Sequence, residues 1–306
     1  MSRRAITGLS SVFGYKVDSA LAFTFLRKGR GDTSLTVTEG NGLAPPVGSP
    51  LLEWLPRPGH PRGARLYETG SRYAVWVDQS GWFHVDRGQA SIAVSPSADP
   101  LRREASLWGI PTALCFMERG DLALHAAAID VGGSAIVLAG PGLSGKTTLA
   151  CGFLQAGYRV LAEDLSCCRS AEPPQLLPGP AMLRVRRDTY QRLELSGSRV
   201  VAEDPDRVTL TLLESTRGDG EPVPIRAIIL LGSPNAAFAI EPVALPAAIR
   251  ALWSLSFMLP RDADRVRSFQ GVVTLASAVP VWSFRWPKRF TEMPEALTAI
   301  ISICRS

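Results

Sequence analysis

Two rhythms of apolar and polar residues divide the chain. In the stretch Tyr73-Ala74-Val75-Trp76-Val77, then Trp82 to Val85 and Ala90 to Val94, apolar positions recur on a period of about two, with turn residues at Asp78 to Gly81. That period predicts an antiparallel meander. Many glycines and prolines accompany it, so residues 1–100 are expected to form a small β-rich N-terminal domain. Within it, Arg57-Pro58-Gly59-His60-Pro61-Arg62-Gly63 reads as a surface loop, because proline and glycine interrupt any regular ladder.

After residue 100 the period lengthens. Leu101, Ala105, Trp108, Leu114 and Met117 share one side of a helix from Leu101 to Arg119, which Gly109 and Pro111 should kink or split and Gly120 should end. A strand from Leu122 to Ile129 carrying His125, a Gly132-Gly133 hairpin turn and a buried strand from Ser134 to Ala139 follow. Next come a helix from Lys146 to Ala156, with Leu149, Phe153 and Leu154 turned to a sheet and Gly157 as its cap, and a strand from Tyr158 to Ala162. Ile225 to Leu231 reads as a central strand, Leu245 to Phe257 as a helix, Val279 to Trp286 as a strand and Pro294 to Cys304 as a closing helix. The alternation predicts an α/β domain over residues 101–306.

Composition narrows the function classes. A chain of 306 residues, 46% hydrophobic and 20% charged, can bury a sizeable core. It has no run of about 20 apolar residues, and its MSRRAITGLS start has no apolar segment behind the arginines, so a cytoplasmic protein without a membrane partner is expected. Cys115, Cys151, Cys167, Cys168 and Cys304 form no C-x-x-C pair and have no histidine at ligand spacing, so they are expected to be reduced and packed. The net charge of +5 would permit an anionic partner, yet the arginines are spread from Arg3 to Arg305 among acids with no interleaved aromatic platform; nucleic-acid binding is not expected. Lysine is scarce, which makes Lys146 conspicuous.

The chemistry concentrates between two elements. Gly140-Pro141-Gly142-Leu143-Ser144-Gly145-Lys146-Thr147 satisfies G-x-x-x-x-G-K-[ST] after an apolar strand and before a helix. Small residues let successive backbone N–H groups turn inward around phosphates, and the following helix N-terminus, through Thr148, adds partial positive charge. Lys146 is expected to bridge the β- and γ-phosphates of ATP and the Thr147 hydroxyl to hold Mg2+. Glu163 and Asp164 fall at the C-terminal end of the next strand, where open α/β sheets place ligands. One carboxylate, Asp164, is expected to join Thr147 on the metal, and either Glu163 or Asp164 to take the proton of an attacking hydroxyl. A lone histidine among alanines, His125, is ordinarily a ring bonded to a backbone carbonyl, although its strand would end beside the loop.

The run Leu124-His125-Ala126, the loop, and Ala156-Gly157-Tyr158-Arg159-Val160-Leu161-Ala162-Glu163-Asp164 resembles the C-terminal catalytic domain of bacterial HPr kinase/phosphorylase. There a histidine precedes the loop lysine at the interval of His125 to Lys146, and an Asp-Asp pair follows at the interval of Lys146 to residues 163 and 164. The resemblance implies the fold of that family and of phosphoenolpyruvate carboxykinases, and transfer of phosphate from ATP with magnesium to a serine hydroxyl of a protein or peptide. It carries the active-site histidine onto His125, the loop residues onto Lys146 and Thr147, and the acidic pair onto Glu163 and Asp164. Glu163 departs from the family's first aspartate, the E-I-R-G signature has no counterpart, and neither the reverse reaction nor HPr as acceptor is carried over.

The layout as a whole, with a Pro-rich segment at 173–180 leading to Leu183-Arg184-Val185, resembles the HPr kinase-related proteins encoded with lasso-peptide biosynthesis. Members of that group phosphorylate the C-terminal serine of a precursor peptide. Arg184 is taken as a candidate nucleotide ligand; Arg186, Arg187 and, on a later loop, Arg261, Arg265 and Arg267 are further candidates for phosphate or carboxylate. Two other functions fit the same residues: a kinase for a small sugar-like metabolite, and a nucleotide-dependent regulatory switch. Nothing in the sequence sets an oligomeric state.

Overall fold

The computed structural model describes residues 10–43, 46–56, 63–233 and 238–303. Among the described residues the protein is a mixed α/β molecule with two nine-stranded sheets and one of three strands. The first sheet is built from β1 (Ser10–Val12), β2 (Tyr15–Asp18), β3 (Arg27–Lys28), β4 (Thr33–Glu39), β5 (Leu52–Trp54), β6 (Ala64–Thr69), β7 (Arg72–Val77), β8 (Gly81–Asp86) and β9 (Ser91–Val94). Its order is β3-β1-β2-β4-β9-β8-β7-β6-β5. The meander read from Tyr73 onward is β7-β8-β9, paired antiparallel. Of the expected Arg57–Gly63 loop, residues 57–62 lie outside the described residues, as does Cys304.

Alternation explains which face of this sheet is buried. Leu66, Tyr73, Val75, Phe83, Val85, Ile92 and Val94 pack into one core with α1 (Pro100–Leu107) and α2 (Ile110–Glu118). Gly109 and Pro111 do split the expected helix in two: Gly109 is the N-cap of α2 and Pro111 sits in its first turn. That core continues past residue 100 to Cys167, Leu177 and Met182.

The second sheet contains β10 (Leu122–Leu124), β11 (Ala126–Val131), β12 (Ser134–Ala139), β13 (Arg159–Ala162), β14 (Ser166–Arg169), β15 (Gln175–Leu177) and β19 (Val223–Leu231) in the order β10-β14-β15-β19-β12-β11-β13. Strand β21 (Val281–Arg285) pairs with β19, and β20 (Ala239–Pro242) with β21. Helix α3 (Lys146–Gln155) crosses from β12 to β13, which run in the same direction with β11 between them. Leu149 and Phe153 of α3 are wholly buried, each contributing about 1.5–3 kcal/mol of apolar burial. β16 (Met182–Arg186), β17 (Ser198–Glu203) and β18 (Arg207–Leu212) form the third sheet in the order β16-β18-β17. Its inward residues Leu183, Val185, Val208, Leu210 and Leu212 share a core with α3 and α8 (Met293–Ile303). Two short helices, α4 (Arg187–Tyr190) and α5 (Glu214–Arg217), flank that sheet.

Three expectations are corrected. The strand expected over Leu122–Ile129 is broken at His125, because β10 pairs with β14 while β11 pairs with β12 and β13; the chain changes partners there. The His125 N–H goes instead to the Leu255 carbonyl, at the end of α6 (Leu245–Leu255), which stops two residues before Phe257. Arg265 and Arg267 do not lie on a loop: they belong to α7 (Asp262–Ala278), with Arg261 as its N-cap. That helix buries only Val272, Leu275 and Ala276, so it lacks the apolar stripe by which a helix is read from sequence.

Candidate functional site

The C-terminal ends of β12 and β13 and the N-terminus of α3 meet at a cleft of about 320 Å³. The turn out of β12 is tight at Gly140, where a Cβ would come within 2.8 Å of the Ser144 hydroxyl oxygen and 3.0 Å of the Leu231 carbonyl. At Gly145, φ is +103°, a conformation that favours glycine, and Gly145 caps α3 without a side-chain hydrogen bond. The first-turn amides of Lys146, Thr147 and Thr148 therefore have neither intrahelical nor side-chain cap partners. Gly142 to Thr148 line the cleft, with Leu143 exposed; Gly140 and Pro141 do not line it.

Lys146 is buried, and its Nζ donates to the carbonyls of Gly140 at 2.7 Å and Pro141 at 3.0 Å. It also lies 2.9 Å from His125 Nε2. Burial lowers the Lys146 pKa, against the opposing pull of Asp164 and Glu163. On the other side of the imidazole, Nδ1 is 3.1 Å from the Asp164 carbonyl and 3.2 Å from its Oδ1. Both are acceptors, so Nδ1 carries the hydrogen and Nε2 accepts from the lysine. Lys146, His125 and Asp164 form one chain, made possible by the strand break that frees the His125 side chain toward the loop.

The adjacent carboxylates have different surroundings. Glu163 Oε1 accepts from Thr147 Oγ1 at 2.7 Å, while the Asp164 side chain is 59% exposed. Burial and the neighbouring Asp164 charge push the Glu163 pKa up, against the Thr147 hydrogen bond and the charges of Arg184 and Arg207. Against desolvation in the cleft, the His125 hydrogen bond, with the charges of Arg184 and Lys146, holds the Asp164 carboxyl well below the usual range. The backbone turns at Asp164 with φ +67°, so consecutive carboxylates leave the strand in different directions. Thr147, expected to share a metal with Asp164, donates its hydroxyl hydrogen to Glu163.

All four residues expected to be catalytic, His125, Lys146, Glu163 and Asp164, therefore line one cleft. Arg184 does not line it, although its charge acts on both acids. Arg186 and Arg207 line it instead, with Asp188 and Thr189 of α4 and with Trp286, Lys288 and Phe290 after β21. Arg207 and Lys288 escaped the sequence reading because only strand register and the return of the chain after β21 bring them here. The donor set suits a hard cation: the Thr147 hydroxyl and Glu163 carboxylate oxygens already converge. Among the described residues no group of three or more His, Cys, Asp or Glu side chains is arranged to hold a metal by itself. The loop also leaves a buried polar atom, Ser144 Oγ, without a protein hydrogen-bond partner. Among the described residues no helix is long and apolar enough to cross a membrane.

No family model and no curated protein matches the chain. Among solved structures it is similar to the Hpr(Ser) kinase/phosphatase from Coxiella burnetii, at 10% sequence identity and a TM-score of 0.29, over 59% of this chain and 96% of that one.

Proposed function

We propose that the protein is an ATP- and magnesium-dependent kinase that phosphorylates a serine hydroxyl on a peptide or protein. The observation that carries this reading is the convergence at one loop of Lys146, His125 and Asp164 in a hydrogen-bonded chain, with Thr147 and Glu163 beside it. A phosphate loop alone would serve a switch equally well; an exposed carboxylate beside the loop is also placed to meet an acceptor hydroxyl.

Magnesium ATP supplies the phosphoryl group and the charge neutralisation that its departure requires. Glu163 and Thr147 would hold the metal, which moves that role from Asp164 to Glu163 because hydrogen-bond geometry takes precedence over position in the sequence. The loop amides and Lys146 hold the phosphates, the lysine exchanging its carbonyl acceptors for phosphate oxygens. Asp164 takes the proton of the acceptor hydroxyl while that oxygen bonds to phosphorus and the bond from phosphorus to the leaving diphosphate breaks. His125 fixes the Asp164 side chain and links it to Lys146.

The fold we assign is a P-loop catalytic domain of the HPr kinase and phosphoenolpyruvate carboxykinase type over 101–306, with residues 1–100 as a smaller β-rich acceptor-binding part. The C-terminal serine of a lasso-peptide precursor is the first acceptor to test, on the resemblance of layout. The deciding experiment is mass spectrometry of such a peptide incubated with the protein, ATP and magnesium, beside Lys146→Ala. A phosphate mass on serine that is absent with the variant supports the reading. Transfer only to sugars would make it a metabolite kinase, and ATP hydrolysis without transfer to any acceptor would make it a switch.

A further inference from the structure

The third sheet presents its apolar residues to the core and arginines on its other face. In β16 and β18, Arg186 is directly opposite Arg207, and Arg184 is two residues from Arg186 on the same face. Like charges directly opposed across a strand pair destabilise it. Here the arrangement is also held in place: Arg207 Nη1 donates to the Arg184 carbonyl at 3.1 Å. Burial and the charges of Arg184 and Arg186 disfavour the Arg207 cation, while Glu163 and Asp164 favour it. The nearest carboxylate to Arg186 with which it pairs, Asp188, stands 3.8 Å away, and both side chains are more than half exposed. Arg186 and Arg207 nevertheless line the same cleft as the loop.

We propose that this arginine face is a subsite for an anionic group of the acceptor, a carboxylate or phosphate carried close to the hydroxyl that receives the new phosphate; the assignment of that group to an acceptor rests on the kinase reading above. The nucleotide phosphates have their own partners in the loop amides, Lys146 and the α3 N-terminus. The arginines come from a separate sheet and act on the acids that would meet the acceptor. A planar guanidinium matches a carboxylate or phosphate with paired N–H donors, and two such groups side by side fit one anion with two or more oxygens.

The test is isothermal titration of the full chain, saturated with a non-hydrolysable ATP analogue and magnesium, with three serine peptides of one sequence. One ends in a free carboxylate beside the serine, the second in a carboxamide, and the third is a carboxamide with a phosphoserine next to the serine. One of the anionic peptides is expected to bind about tenfold or more tightly than the uncharged twin, and which one does so identifies the anion. Arg207→Gln and Arg186→Gln should each remove most of that preference, while Arg207→Lys retains part of it. Arg186→Gln lies on an exposed side chain, so the test stands even if Arg207→Gln does not fold. Equal binding of all three peptides, binding of none, or a preference that survives the double Arg186→Gln/Arg207→Gln variant overturns the subsite. The same peptides with ATP, followed by mass spectrometry, separate the two readings: an arginine-dependent preference without phosphate transfer keeps the anion subsite and removes the kinase.

Discussion

The loop and the arginine face hold charge at the same cleft by different means. At the loop, positive potential comes chiefly from backbone, the uncapped first-turn amides of α3, joined by one lysine held by the Gly140 and Pro141 carbonyls. At β16 and β18 it comes from guanidinium groups that repel one another across a strand register. A backbone site is fixed by the fold and reads any phosphate of the right shape. A side-chain site is set by the residues that happen to stand opposite each other, and can be tuned to one acceptor. On the functions proposed above, the shared chemistry would fall to the loop and the choice of substrate to the sheet, with Glu163 and Asp164 in the cleft that both sets of cations line.

If that division holds, the largest effect comes from the loop. Lys146→Ala should lower phosphoryl transfer by about a thousandfold or more, since it removes the ammonium at the head of the loop. It should leave the protein folded but with a lowered melting temperature, because the Gly140 and Pro141 carbonyls and His125 Nε2 lose the ammonium they accept from. Transfer rates and a melting curve check both parts; near-normal transfer would remove the loop from the chemistry. His125→Ala should have a smaller effect, about tenfold to a hundredfold on transfer, because it frees Asp164 and Lys146 without removing either. In single-turnover measurements the loss should fall on the transfer step, with nucleotide affinity nearly unchanged.

Behind the acids stands a third cation, and it sharpens the contrast by being structural. Arg27 of β3 is fully buried and donates to the Val160 carbonyl at 2.7 Å, the Leu161 carbonyl at 3.2 Å and the Gly179 carbonyl at 2.7 Å. Burial, helped by Arg217 and Arg159, lowers its pKa to about 9. It pins β13, which leads into Glu163 and Asp164, to the N-terminal sheet. Arg27→Met should destabilise the protein by about 2–4 kcal/mol, since it leaves three carbonyls unsatisfied; Arg27→Lys should restore little, because a single ammonium cannot span the three acceptors. Denaturant unfolding measures both.

The parts of this site that are legible in the sequence share one property: their geometry is imposed locally. Gly140 and Gly145 are small because the turn is tight, Lys146 and Thr147 follow because a helix begins there, and one crossover returns the acids to the same end of the sheet. His125 was placed only through a resemblance, because its role depends on a strand break that apolar periodicity does not mark. Arg207 was invisible: what brings it beside Arg186 is antiparallel register between segments 21 positions apart. Arg27 was equally hidden, since its partners are carbonyls, which every residue has. In the fold, α7 was missed for lack of an apolar stripe, while the meander of β7 to β9 and the crossover helix α3 followed their periods.

The smallest expected effect concerns stability rather than rate, and it tests whether the two acids are as unlike as their surroundings. Glu163 has a raised pKa in the folded protein, so between the ordinary glutamate value of about 4.3 and the folded value the native state binds more protons than the unfolded one. Stability from this group therefore falls as pH rises through that window. Asp164 has the opposite sign: its folded pKa is depressed, so its contribution is present above the ordinary aspartate value and disappears as pH falls through the lower one. Glu163→Gln keeps an oxygen acceptor for Thr147 and removes the charge that the site disfavours, and should raise Tm by about 2 °C at pH 8. That gain should vanish near pH 3, where the carboxyl is protonated in both states. Asp164→Asn should lower Tm at pH 8 and converge on the unaltered protein only under more acidic conditions. Melting curves of both variants from pH 3 to pH 8 measure the two signs together. If both shift in the same direction, the carboxylates share one environment, and metal binding and proton removal are not divided between Glu163 and Asp164.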